Sequence, residues 1–245
     1  MSSTNQRSKN IPAHERLIFA LDVADLGQAR ELIACLGDAV SFYKLGLEFF
    51  LSGHYFELAA DLRAQGKKIF ADLKLFDIPA TVASAVRQLA RHEVDFCTVH
   101  GNDSMLRAAA VAKGRTKILA VTALTSLDQG DLDDLGFQCD APTLVLSRAR
   151  RALELGCDGV VSSGLEVAAL RASVDHALIA VCPGIRPIHN DEDDDQQRIM
   201  TPGRAIASGA DYLVVGRPIR DAADPRRAAQ AIQSEISRAL DSGDA

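Results

Sequence analysis

The sequence has little of what membrane, secreted or nucleic-acid-binding proteins need. None of its apolar runs approaches the roughly 20 residues that span a bilayer. Residues Met1 to Asn10 are polar and lack the apolar core of a signal peptide. The net charge is −6 without a basic tract, which argues against a broad cationic face for nucleic acid. We therefore expect a cytoplasmic protein with neither membrane nor nucleic-acid partners, although local arginines and backbone N–H groups could hold an anionic small molecule.

Common cofactor and metal motifs are also missing. The chain has no GxGxxG dinucleotide fingerprint, no GxxxxGK[ST] phosphate loop and no HExxH zinc motif. Its five cysteines are odd in number, widely spaced and without a CxxC pair, which predicts free thiols in a reducing compartment. They are Cys35, Cys97, Cys139, Cys157 and Cys182.

The chain does have a regular alternation of short apolar runs with helix-like segments rich in Ala, Leu and Arg. The runs are Leu17–Leu21, Phe42–Leu45, Lys68–Leu73, Phe96–Val99, Ile118–Leu124, Gly159–Ser162, Leu178–Cys182 and Tyr212–Val215. Eight strand candidates in 245 residues predict an α/β fold, a single (β/α)8 TIM barrel over residues 15–245 that follows a disordered tail over residues 1–14. The alternative is a doubly wound open sheet.

Polar side chains follow most of these runs, where a barrel carries its function. They are Asp22, Lys44, Asp72 with Lys74, His100, Thr125, Ser162 with Ser163, Arg186, and Gly216 with Arg217. This agreement between apolar strands and polar strand ends favours the barrel.

The segment from Asp72 to Asp77 has the pattern Asp-x-Lys-x-x-Asp. If residues 68–74 form a strand, Asp72 and Lys74 point the same way, and Asp77 lies in the turn that follows. Lys44 sits inside another apolar strand and must be paired or point into a polar site. The alternatives are a structural salt-bridge cluster, a snorkelling Lys44 and, for Asp22, a helix cap.

A phosphate site is predicted after the last two strands. Gly216 and Arg217 follow strand eight, and Arg186 follows strand seven, where barrels frequently bind phosphate. A plain surface arginine is the alternative for Arg217. The acidic run at residues 191–195 suggests a metal site, but a solvated loop is the better interpretation of consecutive acids.

Seven short segments, taken together and in this order, resemble the orotidine 5′-phosphate decarboxylase family of the common bacterial type. The segments are Leu21-Asp22, Lys44-Leu45-Gly46, Asp72-Leu73-Lys74-Leu75-Phe76-Asp77-Ile78-Pro79, Val121-Thr122-Ala123-Leu124-Thr125-Ser126, Pro183-Gly184-Ile185-Arg186-Pro187, Arg198-Ile199-Met200-Thr201-Pro202 and Val215-Gly216-Arg217-Pro218-Ile219. One departure is Phe76, where many bacterial relatives have His.

The resemblance implies a homodimer of (β/α)8 barrels with active sites at the subunit interface. Lys44, Asp72 and Lys74 would come from one subunit, and Asp77 with Thr81 from its partner. The substrate, orotidine 5′-monophosphate, would lose CO2 to give UMP, the last step of UMP biosynthesis. Lys74 would stabilise the carbanion at C6 and donate the proton, with no cofactor and no metal.

The resemblance also implies roles for the substrate-binding residues. Asp22 and Lys44 would reach the ribose, Thr125 the pyrimidine edge, and Thr81 the ribose side. The remaining contacts would come from Asp72 near the departing carboxylate, Ile78, Arg186 in a closing loop, and Gln196, Gly216 and Arg217 at the 5′-phosphate.

Two other functions stay open from the residues alone. A metal-dependent phosphosugar decarboxylase or isomerase of similar barrel design shares the Asp-x-Lys-x-x-Asp pattern and should need Mg²⁺. A non-catalytic barrel that binds nucleotide or phosphate would bind UMP and leave orotidine 5′-monophosphate intact.

Overall fold

A closed barrel of parallel strands forms the centre of the molecule, in a computed structural model that describes residues 9–100, 102–124, 127–187 and 200–242. Within these ranges there are eight strands: β1 Leu17–Ala20, β2 Phe42–Leu45, β3 Lys68–Leu75, β4 Phe96–His100, β5 Lys117–Val121, β6 Gly159–Val161, β7 Ile179–Cys182 and β8 Tyr212–Val215. Each strand pairs with the next, and β8 pairs back with β1 through Leu17↔Leu213 and Ile18↔Val214. The predicted (β/α)8 barrel is therefore confirmed, and the open sheet is excluded.

Helices connect the strands on the outside of the barrel. Within the described ranges they are α1 Leu26–Leu36, α2 Leu47–Leu51, α3 Tyr55–Ala64, α4 Pro79–Arg91, α5 Asp103–Ala112, α6 Gln129–Asp134, α7 Ala141–Glu154, α8 Val167–Ser173, α9 Pro202–Ala207, α10 Arg217–Arg220 and α11 Pro225–Asp241. Several helices begin at an aspartate whose carboxylate accepts a hydrogen bond from a backbone N–H of the first turn. Asp25 accepts from Gln28 at the start of α1, and Asp140 accepts from Thr143 at the start of α7. Such caps satisfy backbone donors that a helix leaves free at its start.

The strand bounds differ from the prediction at a few ends. Strand β3 runs to Leu75 rather than Leu73, while β5 ends at Val121 rather than Leu124. Beyond Val121 the backbone N–H and the hydroxyl of Thr122 both donate to the carbonyl oxygen of Val161, at 3.4 and 3.0 Å, so a side chain reinforces the last backbone hydrogen bond to β6.

Alternation along the strands divides the apolar side chains between two cores. One fills the barrel, where the rings of Phe42, Phe96 and Tyr212 lie 4.9–5.8 Å apart between centroids. The other lies between the sheet and the helices, with Phe19 and Tyr43 edge to face at 6.1 Å. The aromatic layer makes the barrel a packed core rather than a pore, so a ligand can enter only above it.

The amino-terminal end of the barrel is held by a buried charge cluster. Asp211 accepts hydrogen bonds from Lys9 Nζ at 2.5 Å, from Arg171 Nη2 at 2.7 Å and from the Ala180 N–H at 2.8 Å. Burial lowers the pKa of Lys9 to about 8, against the opposing effect of Asp211. Lys9 thus ties the described part of the expected tail to the barrel, while residues 1–8 lie outside the described residues.

All five cysteines are free thiols, as expected: Cys97, Cys157 and Cys182 are buried, Cys139 is half-buried and Cys35 is exposed. No helix in the described ranges is long and apolar enough to cross a membrane.

The packing between β5, β6 and β7 leaves no room for a side chain at Gly159. A Cβ there would lie 2.5 Å from the Ile179 carbonyl oxygen and 2.8 Å from Leu119 Cδ2. We expect Gly159→Ala to lower the free energy of unfolding by about 1–3 kcal/mol, measured by urea denaturation. In α1, a Cβ at Gly27 would meet only the exposed carboxylate of Asp25, at 3.2 Å, so Gly27→Ala should change the free energy of unfolding by less than about 1 kcal/mol. Equal effects of the two changes would contradict the packing described here.

Candidate active site

The candidate active site lies directly above the aromatic layer, at the carboxyl ends of β2, β3 and β4. Lys44 comes two residues after the inward-facing Phe42, and Asp72 comes two residues after the inward-facing Phe70. Because side chains alternate along a strand, Lys44 and Asp72 also face into the barrel, one layer higher.

Asp72 lies between the two lysines. Its Oδ1 accepts a hydrogen bond from Lys74 Nζ at 2.9 Å, and its Oδ2 lies 3.5 Å from Lys44 Nζ. The side chains of Asp72 and Lys44 are only 13% and 11% exposed, against 35% for Lys74. Lys74 is therefore the more accessible of the two lysines, and Asp72 fixes its position from below.

Asp22 is the second carboxylate on Lys44. Its Oδ1 accepts from Lys44 Nζ at 3.0 Å, and its backbone oxygen accepts from Arg220 Nη1 at 2.8 Å. A Cβ at Gly46 would lie 3.2 Å from both Asp22 Oδ1 and Lys44 Nζ, so glycine leaves this pair its space. The interpretation of Asp22 as a helix cap is wrong, since Asp25 caps α1.

Strand β3 is irregular where it carries these groups. Ala71 pairs with Cys97 and Leu75 with Val99, so four steps along β3 match two steps along β4. Lys74 has φ of +46°, a left-handed conformation that non-glycine residues seldom adopt. Its backbone N–H donates to Thr98 Oγ1 at 2.9 Å, and the Thr98 hydroxyl donates to Asp72 Oδ1 at 3.0 Å. The contact between Asp72 and Lys74 thus depends on a bulge, not on alternation alone.

Asp77 lies apart from this cluster. It is exposed, and its Oδ1 accepts the N–H of Ile78 at 2.6 Å. Among the described residues of this one chain, Asp77 makes no ion pair with Lys44 or Lys74. Ile78 and Thr81 are also exposed at the start of α4.

The predicted phosphate residues follow β7 and β8. Gly216 approaches β1 closely: a Cβ there would lie 3.3 Å from Ala20 Cβ and 3.9 Å from Asp22 Oδ2. Arg217 begins α10 and is exposed. Arg186 is half-buried, and its N–H donates to the Met200 carbonyl oxygen at 3.1 Å. Thr125, Gln196 and the acidic run at residues 191–195 lie outside the described residues.

Sequence reasoning assigned no specific role to Thr98 or to two further residues beside the cluster, His100 and Arg148. The His100 ring meets Phe76 edge to face at 5.6 Å, and burial lowers its pKa, with further lowering by the cations of Arg148 and Lys74. Arg148 reaches in from α7 to donate to the Thr122 carbonyl oxygen at 2.6 Å. His100 stood at a predicted strand end, but no sequence signal linked Arg148 to it.

The described ranges contain no group of three or more His, Cys, Asp or Glu side chains placed to hold a metal ion. The charged cluster described above consists of two lysines and two aspartates of one chain, and it holds the two ammonium groups at fixed positions.

The sequence pattern of the orotidine 5′-phosphate decarboxylase / HUMPS family matches residues 15–232. The chain belongs to this family of enzymes. It is 62% identical to the orotidine 5′-phosphate decarboxylase of Methylococcus capsulatus, over 94% of this chain and 95% of the relative. It is 50% identical to that of Nitrobacter winogradskyi, over 93% and 95%.

Solved structures agree with this assignment. The crystal structure of the Lactobacillus acidophilus orotidine 5′-phosphate decarboxylase is similar at a TM-score of 0.80 and 36% identity, covering 91% of this chain and 99% of that one. The enzyme from Pyrococcus horikoshii gives a TM-score of 0.72 at 26% identity, over 90% of this chain and 99% of that one. The barrel is therefore the fold of the family.

The cations around His100 lead to a testable titration. Removing a nearby cation relieves repulsion of the imidazolium, so the His100 pKa should rise in Lys74→Met and rise further in Arg148→Met. The control Lys113→Met removes a cation that is paired with Asp158, and it should leave the His100 pKa unchanged. NMR titration of the His100 ring proton, assigned with His100→Gln, measures this. An unchanged or lower pKa in both site variants would contradict the assigned causes.

Proposed function

We propose that the chain decarboxylates orotidine 5′-monophosphate to UMP and CO2, the last step of UMP biosynthesis, without a cofactor or metal. The observation that carries this proposal is the largely buried Asp72 carboxylate between Lys44 and Lys74, above a closed apolar layer. Simple binding of a nucleotide does not require two lysines interleaved with aspartates.

The chemistry explains why such an arrangement suits this reaction. Loss of CO2 leaves an electron pair at C6 of the pyrimidine, and no adjacent carbonyl accepts it as an enolate. A cation held in place before the reaction stabilises that charge without reorganisation. The ammonium of Lys74 serves this purpose and then donates a proton to C6.

Asp72 holds Lys74 through its hydrogen bond at 2.9 Å and lies near the departing carboxylate. Lys44 balances the charge of Asp72 and, together with Asp22, reaches the ribose. The cluster stays ordered without substrate because each buried charge already has a partner.

The other family positions complete the substrate contacts. Thr125 binds the pyrimidine edge, while Ile78 and Thr81 line the substrate from the neighbouring subunit. Gln196, Gly216 and Arg217 hold the 5′-phosphate, and Arg186 lies in the loop that closes over it. Because the phosphate is remote from C6, its binding energy can be used for closure and orientation.

The site is shared within a homodimer on this proposal. Asp77 is exposed and unpaired with either lysine in its own chain, as a residue completing the neighbour's cluster would be. Apolar side chains are also exposed on the segments that follow β2 and β3, at the same carboxyl-end face of the barrel: Leu47 at 52%, Leu51 at 80%, Phe76 at 64% and Ile78 at 65%. A second copy covering this face would remove them from water.

Lys74→Ala tests the central assignment. We expect kcat for UMP formation to fall by at least about 10³-fold, because both the charge and the proton donor are lost. The matched control Lys113→Ala removes a lysine that is paired with Asp158 near the amino-terminal ends of the strands, and it should keep normal turnover. Loss of orotidine 5′-monophosphate absorbance measures both. Near-normal turnover in Lys74→Ala would contradict the assignment of Lys74 as the proton donor.

Chelation separates this function from the metal-dependent phosphosugar reaction. Decarboxylation by the lysine–aspartate cluster should be unchanged after incubation with EDTA and should not respond to added Mg²⁺. An enzyme that lost its activity in EDTA and regained it with Mg²⁺ would belong to the rival class, and one that bound UMP without turnover would be the non-catalytic barrel.

Mixing two inactive variants tests the shared site. In a 1:1 mixture of Lys74→Ala and Asp77→Ala subunits, about half of the dimers are mixed, and each has one intact site, so about a quarter of wild-type activity should return. Subunits need to be unfolded and refolded together, with each variant refolded alone as the control. No recovery despite mixed dimers would place Asp77 in its own subunit's site.

A further inference from the structure

Thr98 is buried in β4, the strand next to the one that carries Lys74. It lies on β4, two residues after the inward-facing Phe96, so it faces the barrel interior in the same layer as Asp72. Its side chain is fully buried, and its hydroxyl makes two hydrogen bonds, one as donor and one as acceptor.

The bulge in β3 creates the need for this hydroxyl. Between Ala71 and Leu75 the β3–β4 ladder slips, and the N–H of Lys74 loses the partner that a regular strand would supply. Thr98 Oγ1 accepts that N–H at 2.9 Å. The left-handed backbone of Lys74 is thus secured by a side chain of the neighbouring strand.

The same hydroxyl also orients Asp72. Its proton goes to Asp72 Oδ1 at 3.0 Å, the oxygen that accepts Lys74 Nζ at 2.9 Å. A closed ring of hydrogen bonds results, from the Lys74 backbone through Thr98 and Asp72 to the Lys74 ammonium. Both ends of Lys74 are fixed through one hydroxyl group.

We propose that Thr98 is a positioning residue for decarboxylation, which holds the Lys74 backbone and the Asp72 carboxylate in the geometry that places the ammonium at the reacting carbon. This inference rests on the function proposed above. Thr98 does not touch the substrate, so its effect should appear in the chemical step and not in nucleotide binding.

Thr98→Val is the decisive variant because it keeps the shape and removes the hydroxyl. We expect kcat to fall by about 10- to 100-fold, the effect of losing one hydrogen bond to a charged group. The affinity for UMP, which lacks the carboxylate, should change by less than about threefold by calorimetry. Thr98→Ser keeps the hydroxyl and should restore most of the turnover.

Thr116→Val is the matched control for stability. Thr116 is equally buried, directly before β5 at the opposite end of the barrel, and its hydroxyl donates to the Val94 carbonyl oxygen at 2.9 Å. The Thr116→Val variant should lower the melting temperature about as much as Thr98→Val does, and its kcat should be unchanged. A second readout is hydrogen exchange of the Lys74 amide, which should accelerate in Thr98→Val and not in Thr116→Val.

These outcomes separate the two proposals. If Thr98→Val keeps the kcat and the Lys74 amide exchange of Thr116→Val, the positioning role is overturned while the proposed function stands. If the Lys74 amide exchanges faster in Thr98→Val but kcat stays normal, the positioning role is overturned as well. If the wild type does not convert orotidine 5′-monophosphate, the proposed function fails, and the amide exchange still decides whether Thr98 holds Lys74.

Discussion

Pairing of β8 with β1 is the constraint on which the rest of the structure depends. Closure gives every strand two hydrogen-bonded neighbours and brings the carboxyl ends of all strands to one rim. Residues far apart in sequence, such as Asp22 and Arg220, meet there because β1 and β8 are adjacent. An open sheet with the same strands would spread these groups along an edge.

The charges at this rim are stable only as a set. The side chain of Lys44 is only 11% exposed, and a buried ammonium without partners would be costly. Asp22 and Asp72 supply those partners, and Asp72 is itself shared with Lys74. Removing Asp72 takes a partner from both lysines at once, so catalytic loss and loss of stability are coupled at this position.

Much of this arrangement follows from the sequence. Eight apolar runs separated by helical segments predict the barrel, and the two-residue period explains why Lys44 and Asp72 stand above Phe42 and Phe70. The bulge in β3 does not follow, because hydrogen-bond register between strands is not encoded in a single strand's pattern. Thr98 and Arg148 were missed for the same reason: their partners lie on other elements, 26 residues away for both the Thr98–Asp72 and the Arg148–Thr122 contacts.

The surplus of residues in β3 has a consequence for how such a site can arise or be transplanted. Ala71 and Leu75, on either side of the bulge, both pack against the outer core, so the inward and outward faces of the strand are the same before and after it. The bulge adds two residues to β3, which is an even number, so a strand without them would turn the same faces toward the two cores. Point substitutions on another strand cannot reproduce the site, whereas inserting or deleting a pair of residues would switch the geometry without refolding the scaffold.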